Sequence, residues 1–271
     1  MKLALERQMQ TDIEPETRPS LAVSDVTLRF GGVAALDGVG FTVAPGEICG
    51  LIGPNGAGKT SLFNCVTRIY RPDSGRIAFG GTDLSQVRPH DVVRLGIART
   101  FQNLALFPSL TVLQNTLAGA HARNRAGFAG ALVGWPGTRA TQRRLEGEAM
   151  DILTELDLRD LAHRPARGLP YGTLKRVELA RALAAKPRLL LLDEPAGGLT
   201  HAEVRDLGDL ILRLRRDHEL GALLVEHHMG LVMSISDHVV AMEFGRKIAD
   251  GTPEQVRAEP RVVEAYLGKA S

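Results

Sequence analysis

Residues 53–60 read GPNGAGKT, a complete phosphate loop of the form G-x-x-x-x-G-K-S/T set between an apolar run and a helix-like run. The motif demands a strand before it and a helix after it. Residues 48–52 and 59–69 supply both. Gly53, Gly56 and Gly58 let the backbone curl until successive N–H groups point at phosphate oxygens, with Pro54, Asn55 and Ala57 completing the turn. Lys59 brings a positive charge, the Thr60 hydroxyl is placed to hold Mg²⁺ between phosphates, and Ser61 continues the binding stretch into the helix. A bound nucleoside triphosphate is therefore expected at the centre of whatever this chain does.

The rest of the chain reads as an α/β fold around that loop. Residues 21–30 and 41–46 alternate apolar and polar, which suggests an antiparallel pair across a glycine-rich turn region. A turn at 72–75, a strand at 76–80 and a helix over 87–96 follow. From about 111 to 168 the pattern becomes a helical lobe, with glycines interrupting 121–138 and helical spacing over 139–157. Helices at 174–185, 202–216 and 228–236 then alternate with apolar strands at 189–193 and 221–226, as in a mostly parallel, helix-covered sheet. A hairpin over 238–250 and a helical segment over 253–269 close the chain. The domain reading is a polar arm at 1–20, a nucleotide-binding domain at 21–255 with its helical subdomain at about 103–172, and a helical extension at 256–271.

With 33 basic and 31 acidic side chains in 271 residues, the formal charge is only +2, too small a bias to indicate nucleic acid or an anionic membrane as a partner. Cys49 and Cys65 lie in apolar surroundings and read as buried thiols of a reducing compartment. The arm at 1–20 shows no secretory pattern. No stretch approaches the roughly 18 apolar residues of a membrane-spanning helix, so membrane association is expected through partners.

Three further sites bear on the chemistry. In LLLLDEP, Asp193 and Glu194 end an apolar strand; a fixed carboxylate at Asp193 suits the Mg²⁺ shell, and Glu194 suits polarisation of an attacking water. In VEHH, His227 follows another apolar strand and is placed to bond a γ-phosphate while orienting Glu194, with His228 turned to solvent. Gln102 in RTFQN offers donor and acceptor to ion and water without a second buried charge.

In this order these elements resemble the ATP-binding subunits of ATP-binding cassette (ABC) transporters, over about residues 21–269. Residues 53–60 match the first nucleotide motif, Gln102 the glutamine loop, and LPYGT at 169–173 the family signature. Asp193 and Glu194 match the second nucleotide motif, 196–200 the dimer-contact loop and His227 the switch histidine. The resemblance implies a P-loop ATPase fold with an antiparallel β subdomain and a helical subdomain, ATP and Mg²⁺ as cofactors, and Phe30 stacked on adenine. It also implies a head-to-tail dimer in which Tyr171 and Gly172 meet the nucleotide of the other subunit. Here the signature departs from LSGGQ: Pro170 replaces the serine, Tyr171 the first glycine and Thr173 the glutamine. A lost hydroxyl donor is worth about 1–3 kcal/mol, so slower or differently tuned hydrolysis is expected, with activity retained through Lys59, Glu194 and His227.

Stretches such as RTFQNLALFPSLTVLQN, the insert near 127–136 and the closing VVEAYLG are similar to the ATPase subunit of the bacterial branched-chain amino acid importer. That resemblance implies two transmembrane permease subunits, a second cassette subunit in a homodimer or heterodimer, a periplasmic solute-binding protein, and a place on the cytoplasmic face of the inner membrane. Residues 103–135, with Phe128 and Trp135, would face the permease; packing of Trp135 within the lobe is the other reading. Urea, amides or another small solute are alternative cargoes. A soluble cassette ATPase of nucleic acid or ribosome and a non-hydrolysing interaction subunit are alternative functions.

Overall fold

The computed structural model describes residues 20–101, 104–123 and 136–267. In chain order the elements are β1 (Leu21–Phe30), β2 (Val33–Val43), β3 (Ile48–Ile52), α1 (Lys59–Val66), β4 (Ser74–Phe79), β5 (Thr82–Asp83), a 3-10 helix (Pro89–Leu95) and β6 (Ile97–Arg99). Then come α2 (Val112–Arg123), α3 (Pro136–Glu155), α4 (Tyr171–Ala184), β7 (Leu189–Asp193), α5 (His201–His218), β8 (Gly221–Val225) and α6 (Met229–Ile235). The chain closes with β9 (His238–Glu243), β10 (Arg246–Gly251), α7 (Pro253–Ala258) and α8 (Pro260–Leu267).

Every residue of β3, β7 and β8 is buried, which requires cover on both faces of their sheet. Side chains alternate between those faces. Ile48, Ile52, Leu190, Leu192, Ala222 and Leu224 pack in a core with α4 and α5; Cys49, Leu51, Leu189, Leu191, Leu223 and Val225 pack in a second core with β1, β2, β4 and α1. An open face would forgo about 1.5–3 kcal/mol for each Leu left in water. The sheet order is β10-β9-β3-β8-β7-β6, parallel from β9 to β6, and a separate antiparallel sheet runs β2-β1-β4-β5. Helix α1 is thereby held between the two sheets.

Several boundaries differ from the sequence reading. The second strand begins at Val33, not 41, because only Gly31 and Gly32 form the hairpin loop after Phe30 pairs with Val33. The glycines that suggested a longer turn lie inside the strand, where the register with β1 shifts. Helix α1 stops at Val66, before Ile69, since Arg68 adopts a φ of +62°. The segment at 87–96 is a 3-10 helix ended by Gly96. The closing segment is two helices, because Glu259, ahead of Pro260, is extended.

The described part of the helical lobe packs on α4. A Cβ at Gly119 of α2 would stand 1.8 Å from the carbonyl oxygen of Arg181 in α4, so only glycine permits this approach. Helix α4 begins three residues before the expected 174, with Pro170 at its N-cap, which places Tyr171, Gly172 and Thr173 in its first turn.

Candidate active site

Parallel register brings the site together. Leu51 of β3 and Asp193 of β7 both lie level with Val225 of β8. The segments that follow these three strands, carrying the phosphate loop, Glu194 and His227, therefore emerge side by side at the carboxyl ends of the parallel strands, where open α/β folds place their ligands.

The loop is tightly built. Gly53 has a φ of +152°, and a Cβ there would lie 2.2 Å from the carbonyl oxygen of Met242; at Gly58 it would lie 2.4 Å from that of Ala35. Asn55, Gly56 and Thr60 are exposed, Pro54 and Ser61 half-buried, and Ala57 buried. Lys59 is only 6% exposed, and its Nζ donates to the Gly53 and Pro54 carbonyls at 2.7 and 3.1 Å. Burial lowers its pKa, against the opposing pull of Glu194 and Asp193. Helix α1 starts at Gly58 with no side-chain cap and no acidic residue in its first turn, and α4 starts the same way at Pro170. Helices α5 and α7, by contrast, carry complete capping boxes, Thr200 with Glu203 and Thr252 with Gln255. The open helix ends suit anions.

The two carboxylates after β7 have different surroundings. Asp193 is 4% exposed and accepts from Arg99 Nη2 at 2.7 Å. Glu194 adopts a φ of +47°, unusual for a residue with a Cβ, while its N–H donates to Val225 O. Its Oε1 lies 2.9 Å from His227 Nε2. The expected pairing of Glu194 with His227 is thus present in the structure, and His228 is exposed, its ring edge-on to His201. Phe30 is half-exposed and meets the edge of Tyr70 at 5.1 Å. Tyr171 lies against Gly198 of the 196–200 loop, and Gly172 faces Glu203 of α5. Gln102, Phe128 and Trp135 lie outside the described residues.

Three side chains that the sequence reading passed over hold this geometry. Glu226, 3% exposed, accepts from the N–H of Ala196 at 2.6 Å and from those of His227 and His228 at 2.8 and 3.1 Å. It joins the loop after Glu194 to the one carrying His227. Glu178 of α4 accepts from the Phe101 N–H at 3.0 Å, next to the glutamine loop; burial raises its pKa. Arg99 bonds Asn64 as well as Asp193. The signal for Glu226 was a carboxylate directly after an all-apolar strand, the same signal that singled out Asp193 and Glu194.

The donors near the loop are hydroxyl and carboxylate oxygens, and among the described residues no three His, Cys, Asp or Glu side chains gather into a metal cage. That set fits Mg²⁺, which takes one or two protein oxygens together with phosphates and waters.

Fold and site together define a P-loop ATPase of the cassette type. The ABC transporter family model matches residues 36–197, and a second, described as "Branched-chain amino acid ATP-binding cassette transporter", matches 246–271. The chain belongs to the family of ABC transporter ATP-binding subunits, and this membership implies ATP hydrolysis with ATP and Mg²⁺. It is 44% identical to the high-affinity branched-chain amino acid transport ATP-binding protein BraF of Pseudomonas aeruginosa, over 94% of this chain and 100% of that one. To LivG of Escherichia coli it is 41% identical with the same coverage. Among solved structures, the ADP conformation of MJ1267, an ATP-binding cassette of an ABC transporter, superposes with a TM-score of 0.80 at 31% identity, covering 93% of this chain and 100% of that chain.

Proposed function

We propose that this chain is the ATPase subunit of an importer for branched-chain or related amino acids, working as one of two cassettes closed head to tail. The observation that carries the catalytic part is the 2.9 Å contact between His227 Nε2 and Glu194 Oε1 beside the phosphate loop. Residues 53–61 wrap the phosphates with backbone N–H groups and the Lys59 ammonium, and Phe30 stacks on the adenine. Glu194 takes the proton of the attacking water, and His227 holds Glu194 in place and bonds the γ-phosphate. Thr60, Asp193 and Gln102 would hold Mg²⁺, which supplies charge neutralisation at the phosphates. Tyr171 and Gly172, at the uncapped start of α4, serve the nucleotide of the second subunit.

The solute assignment is supported by the branched-chain amino acid transport of the relatives BraF and LivG and by the match at 246–271. On this reading the chain works on the cytoplasmic face of the inner membrane, against two permease subunits supplied by a periplasmic binding protein. No described helix is long and apolar enough to cross a membrane. The test is reconstitution with those partners in liposomes. Leucine-loaded binding protein should stimulate ATP turnover and drive labelled leucine inward, and Lys59→Ala should abolish both. Stimulation by a urea- or amide-loaded binding protein, with none by leucine, would overturn the amino-acid reading.

A further inference from the structure

The terminal hairpin and helices close around the phosphate loop. The Gly245 N–H, in the turn between β9 and β10, donates to Ala57 O at 3.0 Å, and Met242 O sits against Gly53. From α8, 213 positions further along the chain, the Tyr266 hydroxyl accepts a hydrogen bond from the Gly53 N–H at 2.7 Å. Gly53 is the first residue after β3 ends its pairing with β9, whose last rung is Ile52 with Ala241. Its amide is buried, and leaving a buried N–H unpaired is costly.

Gly53 is also held from the other side, where its carbonyl accepts from Lys59 Nζ at 2.7 Å. The two peptide planes that meet at its Cα are thus each pinned by a side chain, one from Tyr266 and one from Lys59. Glycine's freedom of rotation makes these pins necessary. A phenol with its ordinary pKa of about 10 is neutral near pH 7, and partial burial raises that of Tyr266 further, so it adds no negative charge beside the phosphates.

The geometry points to Tyr266 as a positioning residue for the phosphate loop: its hydroxyl fixes the Gly53 peptide, and through it the direction in which Lys59 and the following amides are presented to nucleotide. Docking of α8 then sets nucleotide affinity, which gives the family-specific segment at 246–271 a physical task at the general nucleotide site. This role rests on the assignment of residues 53–60 as the nucleotide loop.

The test uses the full chain and Tyr266→Phe, which removes only the hydroxyl. Hydrogen exchange of the Gly53 amide is followed without nucleotide, MgADP affinity is measured by calorimetry, and ATPase constants are measured alongside the thermal midpoint. The wild-type Gly53 amide should be protected, and exchange in the variant about tenfold faster or more. The Kd for MgADP and the KM for ATP should rise about three- to tenfold, the scale of one hydrogen bond. The kcat should stay within about twofold, and the nucleotide-free midpoint should fall by only a few degrees, about the scale of one lost buried hydrogen bond; a merely structural defect would not raise KM and leave kcat in place. An unprotected Gly53 amide in the wild type, which needs no variant to detect, would overturn the role. So would unchanged MgADP affinity in the variant. Failure of the wild-type chain to bind MgADP at all would overturn the loop assignment, and this role with it.

Discussion

Arg99 Nη2 donates to Asp193 Oδ2 at 2.7 Å in the interior, with the two side chains 8% and 5% exposed. The same guanidinium donates to Asn64 Oδ1 in α1 and stands about equally far from the rings of Phe63 and Phe101. One cation therefore ties β7, α1 and the start of the glutamine loop to the carboxylate assigned to Mg²⁺. Removing one member of a buried pair leaves the other charged and unpaired, at a cost of about 3–5 kcal/mol. Arg99→Met should lower the unfolding free energy in urea by about that amount. Arg99→Lys should recover less than half, because a single ammonium cannot reproduce a fork that bonds Asp193 and Asn64 together. An unchanged urea midpoint in Arg99→Met would show that the pair does not hold these elements.

Glu226 joins two loops through three backbone N–H groups, and neither of its oxygens can be replaced by a donor without loss. In Glu226→Gln one oxygen becomes an amide NH₂, which must face either the Ala196 N–H or the pair from His227 and His228. The expected stability loss is about 1–3 kcal/mol. Misplacement of Glu194 relative to His227 should lower kcat by about 100-fold, while the KM for ATP stays within about twofold, because the phosphate loop is not touched. Steady-state ATPase assays beside a denaturation curve check both; a change confined to KM would contradict this role for Glu226.

The parts legible in the sequence were those fixed by local chemistry. Ile48–Ile52, the phosphate loop, LLLLD and the run ahead of His227 each combine a buried strand with the residue that ends it, so element and site residue were read together. The long strand Val33–Val43 was missed because Gly38 and Gly40 looked like turn residues, and only pairing with β1 shows them inside a strand. Arg99 and Tyr266 were illegible for a related reason. Their partners lie 94 and 213 positions away, at Asp193 and Gly53, and local spacing holds no record of such a contact.

Cys49 and Cys65 are both free and fully buried, in keeping with the sequence reading of buried thiols. Burial raises the Cys49 pKa well above its ordinary value and pushes that of Cys65 up to about 11. Since the thiolate is the reactive form, at pH 8 only about one Cys65 in a thousand would be ready to react even if reagent reached it. Ellman's reagent at that pH should titrate neither cysteine in the native chain and both after denaturation. Rapid reaction of either thiol in the folded protein would contradict the packing around α1 and β3.

On the proposed mechanism His227 both orients Glu194 and bonds the γ-phosphate, so the contributions of the two residues to rate should multiply only in part. Glu194→Gln keeps a polar group within reach of His227 but cannot take a proton from water. Loss of a general base should lower single-turnover hydrolysis by about 10²–10⁴-fold, with MgADP affinity unchanged. His227→Ala removes the ring that contacts the Glu194 carboxylate and should lower the rate by a smaller factor. Adding His227→Ala to Glu194→Gln should cost less than His227→Ala costs alone, because the orienting part of its role is already lost and only the phosphate contact remains to lose. Full multiplication of the two losses would mean that His227 acts on the phosphate alone and that the 2.9 Å contact is incidental to the chemistry.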